Sequence, residues 1–327
     1  MNDVLQGTST GAAAKLTVVV TTYERPDYLR ESLATIAAQT SRGAFKVVVL
    51  DNASKSDYSG VIAQYADDLD LVYLRNETNI GAEGNIMRAL TDFRDTEYLT
   101  VFHDDDLMHP RMIEWQLRLL DEKPEMLFVA TQFAMFTDGE APPRGLWENH
   151  ETPRADVYPE AADFVRSVMA GSQPCFSSVM YRTRILDRVS FDFERYNMYV
   201  DRPYLVDIAR LGPSALLLAP LVLYRLHCAQ DSGSGAQSLS SLIELMKAYR
   251  DVLASAGNLT ELELFRAQSN RFLIGGYGVL PPNGRPSPSE FVRRGRAEGV
   301  LWVPGFSLLQ WARILRAGLR GWLARRA

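Results

Sequence analysis

The chain has 327 residues, of which 46% are hydrophobic and 23% are charged, so it can form one large globular domain or two ordinary ones. Its formal net charge of −5 argues against a general nucleic-acid-binding protein. The two cysteines, Cys175 and Cys228, provide no disulfide framework and fit a reducing compartment.

The N-terminal segment lacks the features of a secretion signal. Residues 1–14 are mostly small and have neither the basic start nor the apolar core of a signal peptide, and we predict a mobile tail there. The longest apolar stretch, 215–224, is too short to span a bilayer. We therefore expect a cytoplasmic protein.

The first half of the chain predicts alternating strands and helices. In chain order these are strand 16–20, helix 27–39, strand 45–50, helix 58–68, strand 71–74, helix 79–90 and strand 98–102. Such alternation is typical of parallel strands joined by right-handed crossovers. The polar residues that follow the first, second and fourth strands are then expected to meet at one edge of the sheet.

The second half predicts a less regular pattern. We expect strands at 126–136, 177–181 and 216–224, helices at 163–169 and 200–210, a loop at 138–159, and mostly helical residues at 237–275. The predicted organisation is a tail at 1–14, an α/β domain with a doubly wound, mostly parallel sheet at 15–232, a helical extension at 233–280, a linker at 281–290 and a basic amphipathic segment at 291–327.

Three consecutive aspartates, Asp104, Asp105 and Asp106, follow the strand predicted at 98–102. Open α/β sheets bind their ligands beyond the carboxyl ends of the strands. Clustered carboxylate oxygens at that edge suit a hard cation such as Mn²⁺ or Mg²⁺. The alternative interpretation of the three aspartates is a solvated acidic turn.

Six short motifs occur in a characteristic order. They are Val-Val-Val-Thr-Thr-Tyr-Glu-Arg-Pro at 18–26, Val-Leu-Asp-Asn-Ala-Ser at 49–54, Asn-Ile-Gly at 79–81, His-Asp-Asp-Asp at 103–106, Asp201, and Tyr-Arg-Leu-His at 224–227. This order resembles family 2 glycosyltransferases, inverting enzymes of the GT-A fold, and the resemblance extends over residues 15–232. It implies a Rossmann-like GT-A sheet and transfer of a sugar from a nucleotide-diphosphate donor to a hydroxyl acceptor.

The resemblance implies a metal site that holds the donor diphosphate. Asp104, Asp105 and Asp106 are similar to the family's metal motif, with Asp105 at the position of the main ligand and Asp104 at a position that contacts the ribose or the metal. His103 replaces the more usual leading aspartate, which leaves open which two oxygens ligate the ion. His227 matches the family's late histidine near the diphosphate and is a predicted metal ligand, whereas a lone histidine is more often structural.

The resemblance also implies a set of donor-binding residues: Thr21, Tyr23, Glu24, Arg25, Asp51, Asn79 and Asp104. Asp51 is similar to the carboxylate that accepts the N3–H of a uracil- or thymine-type ring, and Tyr23 offers a stacking face to the base. The alternatives are a turn-forming role for Asp51 and a surface charge for Arg25. The nucleotide stays open among UDP, dTDP and GDP.

Asp201 is the predicted catalytic base. The family usually carries Glu-Asp at this point, and this chain keeps the second carboxylate but has Val200 in place of the first. A carboxylate can remove the proton of an acceptor hydroxyl as that hydroxyl attacks the anomeric carbon. Asp207 and Glu194 are alternative bases, and the alternative role for Asp201 is a helix cap.

The C-terminal segment has a charge and pattern of its own. Residues 291–327 contain eight arginines and one glutamate, which leaves residues 1–290 with a net charge of −12. Apolar residues recur at helical spacing beside a row of basic ones: Leu308, Trp311, Leu315, Leu319 and Trp322, with Arg313, Arg316 and Arg320. A helix of this kind suits an anionic membrane surface or packs on the rest of the protein. Peripheral membrane contact through 306–327 would favour a lipid-linked or surface-polysaccharide saccharide as the acceptor.

Three alternative functions remain for comparison. A nucleotidyltransferase should carry a glycine-rich loop after its first strand, and the segment 21–25 contains no glycine. A haloacid-dehalogenase-type phosphatase should carry Asp-x-Asp after its first strand, which the segment 51–53 does not provide. A non-catalytic nucleotide-sugar-binding module of the same fold is favoured by the missing glutamate at position 200 and opposed by the presence of Asp105, Asp201 and His227.

Overall fold

A computed structural model describes most of the chain. The described residues are 5–6, 14–141, 147, 151–172, 174–227, 238–256, 259–281, 285–302 and 306–324. Most of the predicted tail and residues 282–284 of the predicted linker lie outside this set. The chain divides into two compact units: unit 1 comprises Met1–Pro159, Pro174–Ser190 and Leu211–His227, and unit 2 comprises Glu160–Gln173, Phe191–Arg210 and Cys228–Ala327.

The described part of unit 1 contains one ten-stranded sheet. Its strands are β1 (Leu5–Gln6), β2 (Leu16–Thr22), β3 (Phe45–Asp51), β4 (Leu71–Arg75), β5 (Tyr98–His103), β6 (Leu107–Met108), β7 (Phe128–Thr137), β8 (Ala155–Tyr158), β9 (Met180–Arg182) and β10 (Ser214–Leu226). Its helices are α1 (Pro26–Ala37), α2 (Ser59–Tyr65), α3 (Gly81–Asp92) and α4 (Met112–Glu122), with 3₁₀ turns at Phe176–Ser178 and Thr183–Ile185.

The strand order is β1-β4-β3-β2-β5-β9-β7-β10-β6, and β8 pairs with β10. The prediction of parallel strands is confirmed for β4, β3, β2 and β5. The other half of the sheet is mixed, because β9 runs antiparallel to both β5 and β7 whereas β10 runs parallel to β7. The carboxyl ends of β2, β3 and β5 therefore lie side by side.

The core of unit 1 follows from apolar runs that are buried on both faces of the sheet. Leu16, Val18 and Val20 of β2 are fully buried among the core residues. Helix α1 begins with Pro26 in its first turn, where a missing N–H is tolerated, and it turns Leu29 and Leu33 toward the same core. This packing fixes the loop 23–25 between β2 and α1.

The described helices of unit 2 are α5 (Ala161–Ala170), α6 (Phe193–Tyr196), α7 (Asp201–Ala209), α8 (Leu239–Ser255), α9 (Leu259–Val279), α10 (Pro288–Ala297) and α11 (Leu308–Ala324), with a 3₁₀ turn at Asn197–Tyr199. A capping box formed by Glu160 and Asp163 begins α5, and Gly171 with a positive φ ends it.

In the described ranges, none of the helices has both the length and the apolarity that crossing a bilayer requires.

Two local differences from the sequence-based predictions have simple causes. Strand β8 lies inside the segment 138–159 that we predicted as loop, because its four residues gain a partner only through pairing with distant β10. Helix α10 begins at Pro288 inside the segment predicted as linker, where the Ser287 side chain caps the helix and Pro288 occupies the first turn.

Candidate functional site

The predicted site residues of unit 1 meet at the carboxyl ends of three neighbouring strands. Thr22 lies opposite Asp51 in the β2–β3 pair, and Thr21 lies opposite His103 in the β2–β5 pair. The Asp104 N–H donates to the Thr21 carbonyl oxygen at 3.3 Å, which extends the ladder by one residue. The parallel register thus brings the loop after β2, Asp51 and the aspartates to one edge, as predicted.

Asp104 is a buried carboxylate that strand β2 holds in position. Its Oδ2 accepts a hydrogen bond from the Thr22 hydroxyl at 2.6 Å, and its Oδ1 lies 3.5 Å from Nη1 of Arg25. Burial, and secondarily the charge of Asp105, raise the pKa of Asp104 to about 7. This carboxylate is therefore fixed in position and is sensitive to any cation that arrives nearby.

Asp105 contacts one guanidinium and one imidazole of the cluster. Its Oδ2 lies 2.8 Å from Nε2 of His227 and 3.2 Å from Nη1 of Arg25. Arg25 comes from the loop before α1 and His227 follows β10, so two distant segments of the chain converge on one oxygen. The structure thereby brings together Asp105 and His227, which the sequence predicts as metal ligands.

Asp106 is buried and held by two donors from other elements. Its Oδ2 accepts from the Ser177 hydroxyl at 2.7 Å, and its Oδ1 accepts from the Arg225 N–H at 3.3 Å. Burial, reinforced by the charge of Asp105, raises the pKa of Asp106 well above its usual range. The neighbouring groups therefore balance only part of the negative charge that three ionised carboxylates would carry.

The donor atoms of this edge fit a divalent cation. Single ligand atoms of His103, Asp105 and Asp106 all lie within 4.8 Å of one another, a spacing that one ion can bridge. The His103 ring stacks on Phe176 at 5.7 Å between ring centroids and is partly exposed. Carboxylate oxygens with one imidazole suit manganese as well as magnesium, so the residues present fit the metal that the sequence predicts.

Arg225 contacts the aspartate segment through its guanidinium as well as through its backbone N–H. Its Nε donates to the Asp105 carbonyl oxygen at 2.9 Å, and its two terminal nitrogens pair with Asp138 and Glu31. The guanidinium lies 4.7 Å from the Tyr28 ring centroid and 4.6 Å from that of Phe136. Arg225 is therefore a rigid connection between the aspartates and His227 two residues later.

Asp51 is completely buried and already has several partners. Its Oδ2 accepts from the Tyr73 hydroxyl at 2.8 Å and lies 3.4 Å from Nε of Arg75. Its Oδ1 accepts from the N–H of Ser54 at 3.1 Å and also from that residue's hydroxyl, which is the turn-forming role considered above. Burial, and then the bond to Asp51, raise the pKa of Tyr73. Base recognition by Asp51 stays a prediction.

The loop after β2 is fixed to the loop after β3. Glu24 adopts a positive φ of 54°, and its carboxylate accepts from the backbone N–H groups of Lys55 and Ser56 and from the Ser56 hydroxyl. The first of these bonds is the main cause of the lowered pKa of Glu24. Tyr23 is left 43% exposed on the other side of this loop. Glu24 thus has a structural role, while the Tyr23 ring is accessible.

Asn79 belongs to a network of asparagine side chains between β3 and α3. Its Oδ1 accepts from the Asn52 amide at 2.9 Å and from the Gly81 N–H at 2.8 Å. Asn52 in turn accepts from Asn76 at 2.9 Å, and Gly81 adopts a φ of 77° that favours glycine. The observed contacts of Asn79 shape the start of α3, and its contact with a donor stays a prediction.

Asp201, the predicted base, is the first residue of α7 in unit 2. Its Oδ1 accepts from the N–H of Arg202 at 2.9 Å. The Arg202 guanidinium lies 5.7 Å from the ring centroids of Tyr199 and Phe272, which fixes this end of the helix. The alternative base Asp207 has a raised pKa because of its burial. The catalytic role of Asp201 stays a prediction.

Sequence reasoning assigned no role at the aspartates to Arg225 or Ser177 and did not count His103 among the candidate metal ligands. Arg225 stands inside the quoted motif at 224–227, so its presence there was a usable signal. His103 occupies the motif position where the family usually has an aspartate, and that exchange was the signal for it. Ser177 lies in a stretch, 177–182, that resembles the family's lining of the sugar and acceptor side, but only the tertiary structure brings its hydroxyl to Asp106.

Comparison with solved structures identifies the fold. The structure of residues 1–349 of TarS from S. aureus in complex with UDP-GlcNAc superimposes with a TM-score of 0.55 at 15% identity, covering 95% of this chain and 91% of that one. The mannosyltransferase PcManGT from Pyrobaculum calidifontis in complex with GDP-Man and Mn²⁺ gives a TM-score of 0.52 at 15% identity, with coverage of 99% and 90%. The chain has the GT-A fold of these proteins, as predicted.

Comparison with sequences identifies the family. An uncharacterised glycosyltransferase of Methanocaldococcus jannaschii is 27% identical over 113 residues, which are 34% of this chain and 39% of that protein. Protein CgeD of Bacillus subtilis is 22% identical over 188 residues, 56% of this chain and 41% of that protein. The chain thus spans about two fifths of the length of these relatives. Residues 17–178 match the family model described as glycosyl transferase family 2. Residues 17–178 therefore form a domain of glycosyl transferase family 2.

Proposed function

We propose that this protein is a metal-dependent, inverting glycosyltransferase that moves a sugar from a nucleotide-diphosphate sugar to a hydroxyl acceptor. The observation that carries the proposal is the cluster of three buried carboxylates that faces Arg25 and His227 at the strand ends of a family 2 domain. A buried anionic cluster of this kind gains stability from a cation, and strand ends of an open sheet are where such folds bind ligands.

The proposed donor site follows the loops that end β2, β3 and β5. The accessible Tyr23 ring would stack on the base, and Asp51 would read it by exchanging one of its present partners for a ring N–H. Glu24, Asn79 and Thr21 would hold the loops around the nucleotide. Arg25, 3.2 Å from Asp105, would pair with a phosphate oxygen.

Asp105 and Asp106, with His103, His227 and the neighbouring Asp104, are proposed to hold Mn²⁺ or Mg²⁺, which when bound supplies Lewis-acid stabilisation of the leaving diphosphate. Thr22, Ser177 and the Arg225 N–H keep the carboxylates in place before any ligand arrives. Because these donors are part of the folded sheet, the site needs little reorganisation when the donor binds.

Asp201 is proposed as the general base. It would take the proton of the acceptor hydroxyl while the hydroxyl oxygen forms its bond to the anomeric carbon and the bond to the diphosphate breaks. Attack from the face opposite the diphosphate inverts the anomeric centre. We propose a saccharide, free or lipid-linked, as the acceptor.

The relatives support a sugar-nucleotide donor and a metal ion. TarS is named as a poly(ribitol-phosphate) beta-N-acetylglucosaminyltransferase, and its structures contain UDP or UDP-GlcNAc. The mannosyltransferase structure contains GDP-Man and Mn²⁺. UDP- and GDP-linked sugars are therefore the first donors to test on this chain.

The test begins with ligand-induced stabilisation of the full chain. UDP, dTDP and GDP are each added with Mn²⁺ or with EDTA, and the thermal unfolding midpoint is recorded. A ligand at about 100 times its Kd adds roughly 2.7 kcal/mol of stability, which is well above detection. We expect one nucleotide to stabilise the protein in a Mn²⁺-dependent manner, and no shift with any of them would contradict the donor site.

A matched pair of variants tests whether the Mn²⁺-dependent shift of the unfolding midpoint depends on the aspartate cluster. Asp105→Asn should abolish the Mn²⁺-dependent shift, whereas Glu122→Gln, which alters an exposed surface pair with Arg118, should leave it intact. Release of free nucleotide from UDP-GlcNAc or GDP-mannose then measures catalysis. Donor binding without transfer or hydrolysis would favour the non-catalytic nucleotide-sugar-binding module instead.

A further inference from the structure

The C-terminal helix α11 is held in place by one narrow face. Ile314, Ala317 and Gly318 are buried within unit 2. A Cβ at Gly318 would lie 2.4 Å from Cγ of Pro288, so glycine is required for α11 to approach the start of α10 this closely. Nη1 of Arg285 donates to the Ala317 carbonyl oxygen at 2.6 Å. The orientation of α11 about its own axis is thereby fixed.

The opposite side of α11 exposes an apolar surface. Five of the eleven large hydrophobic residues that are exposed in the described ranges lie on this one helix. Their exposed fractions are 89% for Leu308, 62% for Leu309, 58% for Leu315, 57% for Leu319 and 52% for Leu323. The other exposed hydrophobic residues are distributed singly over different elements, which is normal for a globular surface.

Four of these five leucines form a continuous row, and Leu309 lies about 100° around the helix from Leu308. At 3.6 residues per turn, Leu308, Leu315 and Leu319 lie within about 40° of one another around the helix, and Leu323 continues the row by a further turn. The predicted apolar face of 308–322 is thus exposed at Leu308, Leu315 and Leu319. Trp311 is half-buried and packs against Phe306, and the Trp322 side chain lies outside the described residues.

A basic row runs beside the leucine row. Arg313, Arg316 and Arg320 are exposed and lie on the next 60° of the helix surface. Within the described ranges none of the three forms an ion pair with an acidic side chain, and the sequence 308–324 contains no aspartate or glutamate. The sequence continues with Arg325 and Arg326.

We infer that the exposed side of α11, defined by Leu308, Leu315, Leu319, Leu323, Arg313, Arg316 and Arg320, docks on the surface of an anionic lipid bilayer. A helix that lies in the plane of the interface places its apolar row among the upper acyl chains and its basic row among the headgroups. Anionic headgroups supply the negative charge that this helix lacks. A second copy of the chain would present the same arginines and no acidic residue of α11 to meet them. The inference does not rest on the proposed function.

The test is vesicle flotation with the full chain. Vesicles of phosphatidylcholine alone are compared with vesicles containing 30% phosphatidylglycerol, a composition chosen to give about the surface charge of an anionic membrane. We expect binding to the anionic vesicles only, and weaker binding at high salt because the arginine contribution is screened. Equal binding to both vesicle types, or binding to neither, would overturn the inference.

Variants assign the binding to the two rows. Replacing Arg313, Arg316 and Arg320 with glutamine should weaken binding by roughly fivefold per arginine removed. Leu315→Gln combined with Leu319→Gln should abolish flotation, whereas Val279→Gln, at an exposed apolar residue of α9, should not change it. All variants should keep the thermal unfolding midpoint of the parent protein, since the altered side chains are exposed.

Light scattering tests the competing possibility that a second copy of the chain, rather than a bilayer, covers the exposed side of α11. We expect the same molar mass for the parent protein and the double leucine variant. A dimer of the parent protein that the double leucine variant converts to monomer would assign the surface to a second copy and would overturn the lipid inference.

Discussion

Replacement of Arg225 by methionine tests whether this buried guanidinium organises the carboxylate cluster. Methionine keeps much of the apolar contact with Tyr28 and Phe136 but removes the bonds to Asp105, Asp138 and Glu31. If the cluster depends on Arg225, both the stability of the fold and the affinity for Mn²⁺ should fall.

The magnitude of the stability loss follows from the exposure of each partner. The Asp105 carbonyl oxygen loses a buried donor, which costs about 1–3 kcal/mol. Asp138 and Glu31 are 40% and 54% exposed, so water can replace the guanidinium and each pair contributes only about 0–1 kcal/mol. With the loss of the cation–π contacts, we expect unfolding free energy to fall by about 2–4 kcal/mol.

The assay combines urea unfolding with calorimetric Mn²⁺ titration under conditions where the variant is folded. Groups that orient a metal ligand typically change metal affinity by about 10–100-fold, and we expect a loss in this range. Arg225→Lys should lose less stability than Arg225→Met but a similar amount of Mn²⁺ affinity. One ammonium group cannot make the several directed hydrogen bonds of the planar guanidinium.

The control is Arg118→Met on α4, whose pair with Glu122 is 61% and 58% exposed. That variant should change stability by less than about 0.5 kcal/mol and leave Mn²⁺ affinity unchanged. A destabilised Arg225→Met protein with parental Mn²⁺ affinity would refute the organising role and leave Arg225 as a packing residue.

Three further predictions concern single side chains. Asp201→Asn should keep Mn²⁺-dependent nucleotide binding and lose sugar transfer, measured by calorimetry and nucleotide release, and retained transfer would rule out Asp201 as the base. Arg25→Ala should raise the affinity for Mn²⁺ alone by roughly tenfold, because it removes a cation 3.2 Å from Asp105, while weakening nucleotide binding; unchanged Mn²⁺ affinity would contradict this. The hydrogen bond from Arg111, followed by that from Thr40, lowers the pKa of Glu114 to about 2, so its stabilising effect is present above pH 4.5 and lost as the pH falls toward 2. Glu114→Gln should therefore cost about 1 kcal/mol at pH 7, discounted because the side chain is one-third exposed, and urea unfolding should show this difference narrowing below pH 4.5.

The parallel half of the fold and the main site were predictable from the sequence because local signals specify both. The apolar runs of β2, β3 and β5 are long enough to be buried on both faces, and each ends directly before a polar residue of the site. Parallel pairing then places Asp51 and the aspartates at one edge without any long-range information. Asp104 and Asp105 could for this reason be located before the structure was known.

The remainder of the site depends on contacts that no local pattern encodes. Arg225 reaches Glu31 across 194 positions of sequence and Asp138 across 87, and neither partner carries a motif. The antiparallel strand β9 inserts between β5 and β7, and its neighbour Ser177 thereby reaches Asp106. Side-chain networks of this kind follow from the completed sheet, so sequence motifs alone omit them.

The arrangement of donors around the three aspartates distinguishes their tasks. Asp104 and Asp106 each accept a hydroxyl hydrogen bond from a fixed neighbour, Thr22 or Ser177, and burial raises the pKa of both carboxyls. Asp105 instead directs one oxygen at Arg25 and His227, which come from separate segments. Contacts with a guanidinium and an imidazole can be exchanged for contacts with a metal ion without breaking the sheet. If a cation binds here, we therefore expect the contacts of Asp105 to change more than those of Asp104 and Asp106.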